Sequence, residues 1–214
     1  MDNLNTAIAQ TNNQLHNATH VIITLGTSWT YRHIETDEIV GNCHKVPQKK
    51  FLHELLSVEE IVTSLENICV LLKGLNPKIT ILFTVSPVRH LKDGFVENTQ
   101  SKAHLISAIH QIIDKKNSLY YFPSYEIMMD DLRDYRFYSN DMVHPNETAI
   151  NYIWEQFQKV WIHENTNSIQ KEVDTIQKGL AHRPFNENSE QHQLFLKELQ
   201  NKIELFKTNY NIQF

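Results

Sequence analysis

Three short, nearly continuous apolar runs stand out along the first two-thirds of the chain. They cover residues 21–25, 79–85 and 119–122, and they stop at a glycine, at a serine–proline pair and at a proline. β-Branched and aromatic residues dominate these runs, which is typical of strands covered on both faces of a sheet. The pattern therefore predicts three strands.

Helical spacing separates the predicted strands. Apolar residues recur every three or four positions over 58–72 and over 105–113, and Ser57 with Glu60 has the form of a capping box. We expect Lys115 and Lys116 to close the second helix, where the helix dipole favours cations. Because strands and helices alternate, the strands should form a parallel sheet.

Further helical patterns follow Pro145. Asn146 would begin the first helix, which has one broad apolar face, and Ser189 would cap the last one. The apolar stripes beyond residue 163 are narrow. We expect a three-layer α/β domain over 1–163, with helices on both faces of a parallel sheet, and a C-terminal helical extension over 164–214.

Composition and charge narrow the functional classes. Of 214 residues, 41% are hydrophobic and 21% are charged, as in ordinary globular proteins. The formal charge of −5 offers no attraction to phosphate, so we expect no nucleic-acid partner. No apolar run approaches membrane-spanning length and the N-terminus has no secretory pattern, so we expect a cytoplasmic protein without a membrane partner.

The cysteines and histidines do not suggest a metal or cofactor. Cys43 and Cys69 lie far apart without a CxxC pairing, and the twelve histidines form no HExxH or comparable ligand motif. We expect reduced thiols, no metal and no cofactor.

The strongest candidate for chemistry is the pair Asp141 and His144, just before Pro145. Reactive groups gather at the carboxyl ends of strands in open parallel sheets, so the loops after the three strands should share a crevice. A carboxylate that holds one imidazole nitrogen leaves the other free to act as general base in acyl transfer. The same spacing also fits an aspartate that caps the next helix beside a surface histidine.

Other polar residues of these loops could bind substrate. Arg89 and His90 follow the second strand directly, and arginine suits bidentate contacts to anions. Arg133 and Arg136 are more typical of structural ion pairs under a loop.

Two residues could be considered as nucleophiles, but neither has suitable neighbours. Ser28 lacks the second glycine of a nucleophile elbow. Cys43 adjoins His44, whose charged ring would lower a thiol pKa, but adjacent side chains of an extended segment point apart. A packed loop cysteine is the favoured interpretation.

Longer strings of the sequence resemble one protein family. In order, they are TLGTSWTYR, GNCHK, TVSPVRH, YFPSYEI, LRDYRFYSNDMVHP and AHRPF. They are similar to the GSCFA domain family from about Leu4 to the C-terminus, and Asp141-x-x-His144-Pro145 looks like the last sequence block of SGNH hydrolases. The resemblance implies an SGNH-like (flavodoxin-like) fold and an ester hydrolase or acyltransferase, and it suggests an acylated carbohydrate as substrate.

The resemblance also implies roles for individual residues. His144 would be the general base and then acid, oriented by Asp141. Gly26 falls in a block that normally reads Gly-x-Asn-Asp and donates an oxyanion contact, but the expected Asn is missing here. Ser28 or Asn42 would have to supply that donor, and His44 is a further substrate-binding candidate.

The family's Gly-Ser-Cys-Phe-Ala segment, whose serine resembles the SGNH nucleophile, does not occur in this sequence. We therefore expect a chain that begins after the first strands of the fold and is inactive alone. The edge of the strand at 21–25 should then be open to self-association or to another segment. The alternative is a non-catalytic binding or assembly module that uses the same crevice.

Overall fold

The computed structural model describes residues 2–43, 45–186 and 188–210. It contains two compact units, Met1–Glu155 and Gln156–Phe214. The elements of the chain, in order, are α1 (Asp2–Asn17), β1 (His20–Leu25), β2 (Trp29–His33), β3 (Ile39–Val40), β4 (Phe51–Leu55), α2 (Val58–Leu75), β5 (Thr80–Val85), α3 (Phe95–Ile112), β6 (Leu119–Phe122), α4 (Ser124–Glu126), α5 (Glu147–Trp161), α6 (Asn167–Ala181) and α7 (Glu190–Tyr210).

The three predicted strands form one parallel sheet in the order β1-β5-β6. Leu25 pairs with Val85 and Thr84 pairs with Phe122, so the strands end at one edge of the sheet. This confirms the predicted α/β fold with a parallel sheet. Within the described residues, β1 pairs only with β5, and its free-edge association stays a prediction.

The core lies between this sheet and the helices α2 and α3. Ile81, Phe83 and Val85 of β5 point into it and are buried. Leu82 and Thr84, which point to the opposite face, are also buried, and Thr84 shares a hydrogen bond with Ser124 of α4. The central strand is therefore covered on both faces, consistent with a three-layer fold.

The predicted helix ends are mostly confirmed. Ser57 and Glu60 form both hydrogen bonds of the capping box that begins α2. The side chain of Asn146 accepts the N–H of Ala149 at the start of α5, and Ser189 accepts the N–H of His192 at the start of α7. Side-chain oxygens satisfy otherwise unpaired backbone donors at these positions.

The prediction for α3 was wrong at both ends. The helix begins at Phe95, well before the predicted apolar stretch, and it ends at Ile112, so Lys115 and Lys116 do not close it. They lie in a separate 3₁₀ turn, where the side chain of Asp114 accepts the N–H of Lys116. The first half of α3 escaped prediction because its buried positions carry polar side chains.

A second sheet was not predicted at all. β2, β3 and β4 form an antiparallel sheet in the order β3-β2-β4. Across it, Trp29 and Tyr31 of β2 stack on His53 of β4, with ring centroids 4.7 and 4.9 Å apart. Such cross-strand aromatic pairs stabilise sheets, but their mixture with histidine, arginine and glutamate hides the usual apolar alternation.

The remaining helices differ in how well they bury apolar side chains. α1 leaves Leu4 and Ile8 exposed. The predicted C-terminal helices α6 and α7 are present, and Ile176, Leu199 and Phe206 form the core of their unit. Among the residues described, no helix has the length and apolar character needed to cross a membrane.

Candidate active site

Asp141 and His144 interact through one compact loop. The Nδ1 atom of His144 lies 2.6 Å from Oδ2 of Asp141, while Oδ1 accepts the N–H groups of Val143 and His144 at 2.9 and 3.0 Å. The aspartate thus holds both the turn and the imidazole ring. Because a carboxylate can only accept, Nδ1 of His144 is the donor, and in the neutral ring Nε2 keeps its lone pair.

The loop stabilises the charged form of Asp141. Hydrogen bonds from the backbone and ring of His144, and then from the backbone of Val143, lower the pKa of Asp141 to about 2. Asp141 is therefore ionised at neutral pH. The side chains of His144 and Asp141 are 60% and 48% exposed, so a second group can reach the imidazole.

Arg89 fastens this loop to the end of β5. Its backbone N–H donates to the carbonyl of Val143 at 3.2 Å, and its guanidinium donates to the carbonyl of Met142 at 2.9 Å. Met142 has a left-handed backbone with φ of 60°, which a side-chain-bearing residue adopts at some cost. The contacts from Arg89 hold the strained residue in place and position His144.

His90 and Gly26 are brought together at the ends of β5 and β1. A Cβ atom on Gly26 would lie 3.4 Å from Nε2 of His90, so the glycine permits close approach of the ring. Asn98 accepts the backbone N–H of His90 at 2.8 Å. Burial and the nearby charge of Lys102 lower the pKa of His90, which favours its neutral form.

Lys102 of α3 bridges the residues that directly follow β1 and β5. It is 1% exposed, and its ammonium donates to the carbonyls of Gly26 at 2.6 Å and of Ser86 at 2.7 Å. Burial lowers the pKa of Lys102 to about 8. This lysine fixes the relative position of the two loops that line the crevice.

Ser28 does not direct a donor into the crevice. It is 2% exposed, its N–H donates to Oγ of Ser101 at 2.7 Å, and its hydroxyl donates to the carbonyl of Ser101 at 3.1 Å. Its contacts are those of a buried residue that joins the loop after β1 to α3.

The loop after β3 carries three further candidates, namely Asn42 as oxyanion donor, Cys43 as nucleophile and His44 for substrate binding. Asn42 is exposed there and Cys43 is half-buried. His44 lies outside the described residues.

Arg133 and Arg136 make the structural ion pairs that the sequence favours. Arg133 pairs with Asp130 and Arg136 with Asp134, and both arginines are largely exposed. They lie on the surface beside the loop and not under it.

A cavity of about 270 Å³ adjoins the Asp141–His144 loop. We call it the side pocket. Its walls include Arg89, Leu91, Phe95, Met128, Met129 and Tyr138. Arg89 and Tyr138 connect it to the loop, since Arg89 holds Met142 and Tyr138 forms a β-bridge with Pro145.

The comparisons with known proteins agree with the sequence motifs. The model of the GSCFA family matches residues 1–157, and that of the GSCFA domain protein C-terminal domain matches residues 173–214. This chain belongs to the GSCFA family. No curated protein and no solved structure matched it.

The GSCFA chain shows no nucleophile at its histidine. All its serines lie in the described part, and there the His144 ring is hydrogen-bonded to Asp141 and to no serine or cysteine. The described residues also hold no cluster of three His, Cys, Asp or Glu side chains suited to a metal ion.

Ser101 and Lys102 are the important site residues that the sequence did not reveal. They lie with Asn98 on the buried stripe of α3, in register with Leu105 and Ile109. Polar residues at apolar positions of a helix were the available signal, because such residues are buried only when they have partners.

Proposed function

We propose that this GSCFA chain supplies the acid/base pair of an SGNH-type ester hydrolase or acyltransferase. The observation that carries the proposal is the 2.6 Å contact between His144 and an ionised Asp141 at the exposed edge of a parallel sheet. A histidine oriented in this way is what acyl transfer requires of its base.

The chemistry follows from the free Nε2 atom of His144. Nε2 would take the proton of a serine hydroxyl as its oxygen attacks the ester carbonyl carbon. Asp141 would stabilise the resulting imidazolium. His144 would then return the proton to the leaving alcohol, and water or a second alcohol would release the acyl group.

The nucleophilic serine would come from a polypeptide segment that is not among the 214 residues, because no serine here is hydrogen-bonded to the imidazole ring of His144. The oxyanion donors would come from the loops around Gly26 and Asn42. Ser28 fits this role poorly, because its donors are bound to Ser101. His44, Arg89 and His90 are the proposed substrate-binding side chains.

An acylated carbohydrate is the proposed substrate class, and it rests on the resemblance to SGNH hydrolases. The open setting of His144, whose side chain is 60% exposed, would suit a bulky alcohol component.

A second candidate is a binding or assembly module that keeps the crevice without catalysis. The observation that favours it is the lack of a serine or cysteine hydrogen-bonded to the imidazole ring of His144 in the described part of the chain. The edge of β1 that faces away from β5 would then pair with a strand of a second chain.

The two candidates are separated by supplying the nucleophile. The chain would be co-expressed with a segment that carries Gly-Ser-Cys-Phe-Ala, and the assembly treated with a fluorophosphonate probe. The enzyme proposal predicts covalent labelling of that serine and loss of labelling when it is changed to alanine or when His144→Ala is introduced. A stable assembly whose serine is not labelled would contradict the proposal and favour the binding module.

A further inference from the structure

Apolar side chains from three segments line the side pocket, and two of them, Leu91 and Phe95, are also 37% and 73% exposed to solvent. Leu91 and Phe95 come from the approach to α3, Met128 and Met129 come from the π-helix Ile127–Leu132, and Tyr138 precedes the Asp141–His144 loop. Its volume of about 270 Å³ is near the lower end of ligand sites in proteins. One aromatic ring or a short chain would fill it.

Three polar side chains that line this pocket are hydrogen-bonded within the chain. Asn98 accepts the backbone N–H of His90, the hydroxyl of Thr99 donates to the carbonyl of Phe95, and Asp134 accepts the backbone N–H of Arg136. Arg133 also lines the pocket, and its guanidinium pairs with Asp130.

Arg89 differs from the other arginines of the first unit in having no carboxylate partner among the described residues. The other arginines of the first unit have carboxylate partners, namely Arg32 with Glu54, Arg133 with Asp130, and Arg136 with Asp134. Arg89 has none among the residues described, although its guanidinium is held by the carbonyl of Met142 and lies 5.6 Å from the ring centroid of Tyr138. One of its five N–H groups makes the bond to Met142, and a planar anion can use others.

We propose that the side pocket binds a small apolar or aromatic group that carries an anionic head, with Arg89 as its counter-ion and specificity-determining residue. The anion would be a carboxylate or a phosphate, and the Leu, Phe and Met side chains would cover the apolar part. The assignment of this ligand to the ester substrate rests on the proposed function. It makes the preferred substrate an anionic ester instead of a neutral one.

The test compares matched ligands on the unmodified chain. Binding of 3-phenylpropionate, phenyl phosphate and the neutral 3-phenylpropanamide is measured by calorimetry or by NMR titration. At least one anion should bind roughly ten-fold or more tightly than the amide, since a charge-assisted bidentate contact has about that effect. The stronger of the two anions identifies the head group.

Variants then locate the effect. Arg89→Gln should reduce anion affinity to the level of the amide, and Arg136→Gln, a nearby arginine that does not line the pocket, should leave it unchanged. Equal binding of the amide and both anions, no binding of any of the three, or loss of the preference in Arg136→Gln but not in Arg89→Gln would overturn the proposal. The ligand comparison needs no variant and no ester turnover, so its failure is distinguishable from failure of the proposed chemistry.

Discussion

The imidazole of His144 donates to the carboxylate of Asp141 across 2.6 Å, and the second oxygen of the same carboxylate caps the turn that carries the histidine. One side chain therefore fixes the backbone and the ring together. The alternative interpretation, an aspartate that caps the next helix, does not describe Asp141, because Asn146 caps α5.

The lowered pKa of Asp141 makes the free energy of unfolding depend on pH under acidic conditions. A carboxyl whose folded pKa is about 2 stabilises the fold above its ordinary pKa, and this contribution is lost as pH falls through 2. Asp141→Asn should therefore remove part of the fall in unfolding free energy between about pH 4 and pH 2. Urea unfolding across this range measures it, with Asp37→Asn in another exposed loop as control. Parallel pH profiles for wild type and Asp141→Asn would contradict the contact.

Lys102 makes stability depend on pH in alkali, in the same direction as Asp141 does in acid. Its pKa is lowered to about 8, so between pH 8 and its ordinary value of about 10.4 the unfolded chain binds more protons than the folded one. Stability from this group therefore rises with pH across that window. Lys102→Met should abolish that rise, whereas the exposed Lys92→Met should not. The difference in unfolding free energy between wild type and each variant, measured from pH 7 to 10.5, checks both expectations.

Ser101 should be more important for stability than its size suggests. Ser101→Ala removes the acceptor of the buried Ser28 N–H, and a buried donor without a partner costs about 1–3 kcal/mol. Ser107→Ala, at an exposed position of the same helix, should change stability by less than about 0.5 kcal/mol. Thermal and urea unfolding compare the two, and equal effects would show that the Ser28–Ser101 contact is not formed.

Alanine substitutions at two glycines should change the free energy of unfolding in opposite directions. Gly94, just before α3, has φ of 105° and ψ of 165°, a conformation open essentially to glycine alone. Gly94→Ala should destabilise the fold by about 1–3 kcal/mol. Gly74 lies inside α2 with no atom within 4 Å of its missing Cβ, so Gly74→Ala should stabilise by up to about 1 kcal/mol. Urea unfolding measures both, and a stabilising Gly94→Ala would contradict the geometry.

The sequence predicted those parts of the fold in which local pattern and burial agree. The β-branched runs of β1 and β5 became paired strands, and Ser57, Asn146 and Ser189 cap the helices they precede. Each of these signals is carried by neighbouring residues, so no tertiary contact is needed to recognise it.

The parts that escaped prediction depend on contacts between distant residues. Trp29 and His53 stack only after β2 and β4 pair, and Lys102 is buried only because two carbonyls from other segments receive its charge. The same holds for Ser28, whose partner Ser101 lies 73 positions away. The Asp141–His144 contact was predictable because both residues belong to one short turn.

The rate of ester hydrolysis after removal of the imidazole is the measurement that bears most closely on the role of His144. The chain would be assembled with the serine-bearing segment, and hydrolysis of p-nitrophenyl acetate compared for wild type, His144→Ala and the exposed control His163→Ala, with circular dichroism to verify folding. We predict that His144→Ala slows turnover by about a hundred- to ten-thousand-fold while His163→Ala does not. A folded His144→Ala assembly that hydrolyses the ester at the wild-type rate would contradict the assignment of His144 as the general base.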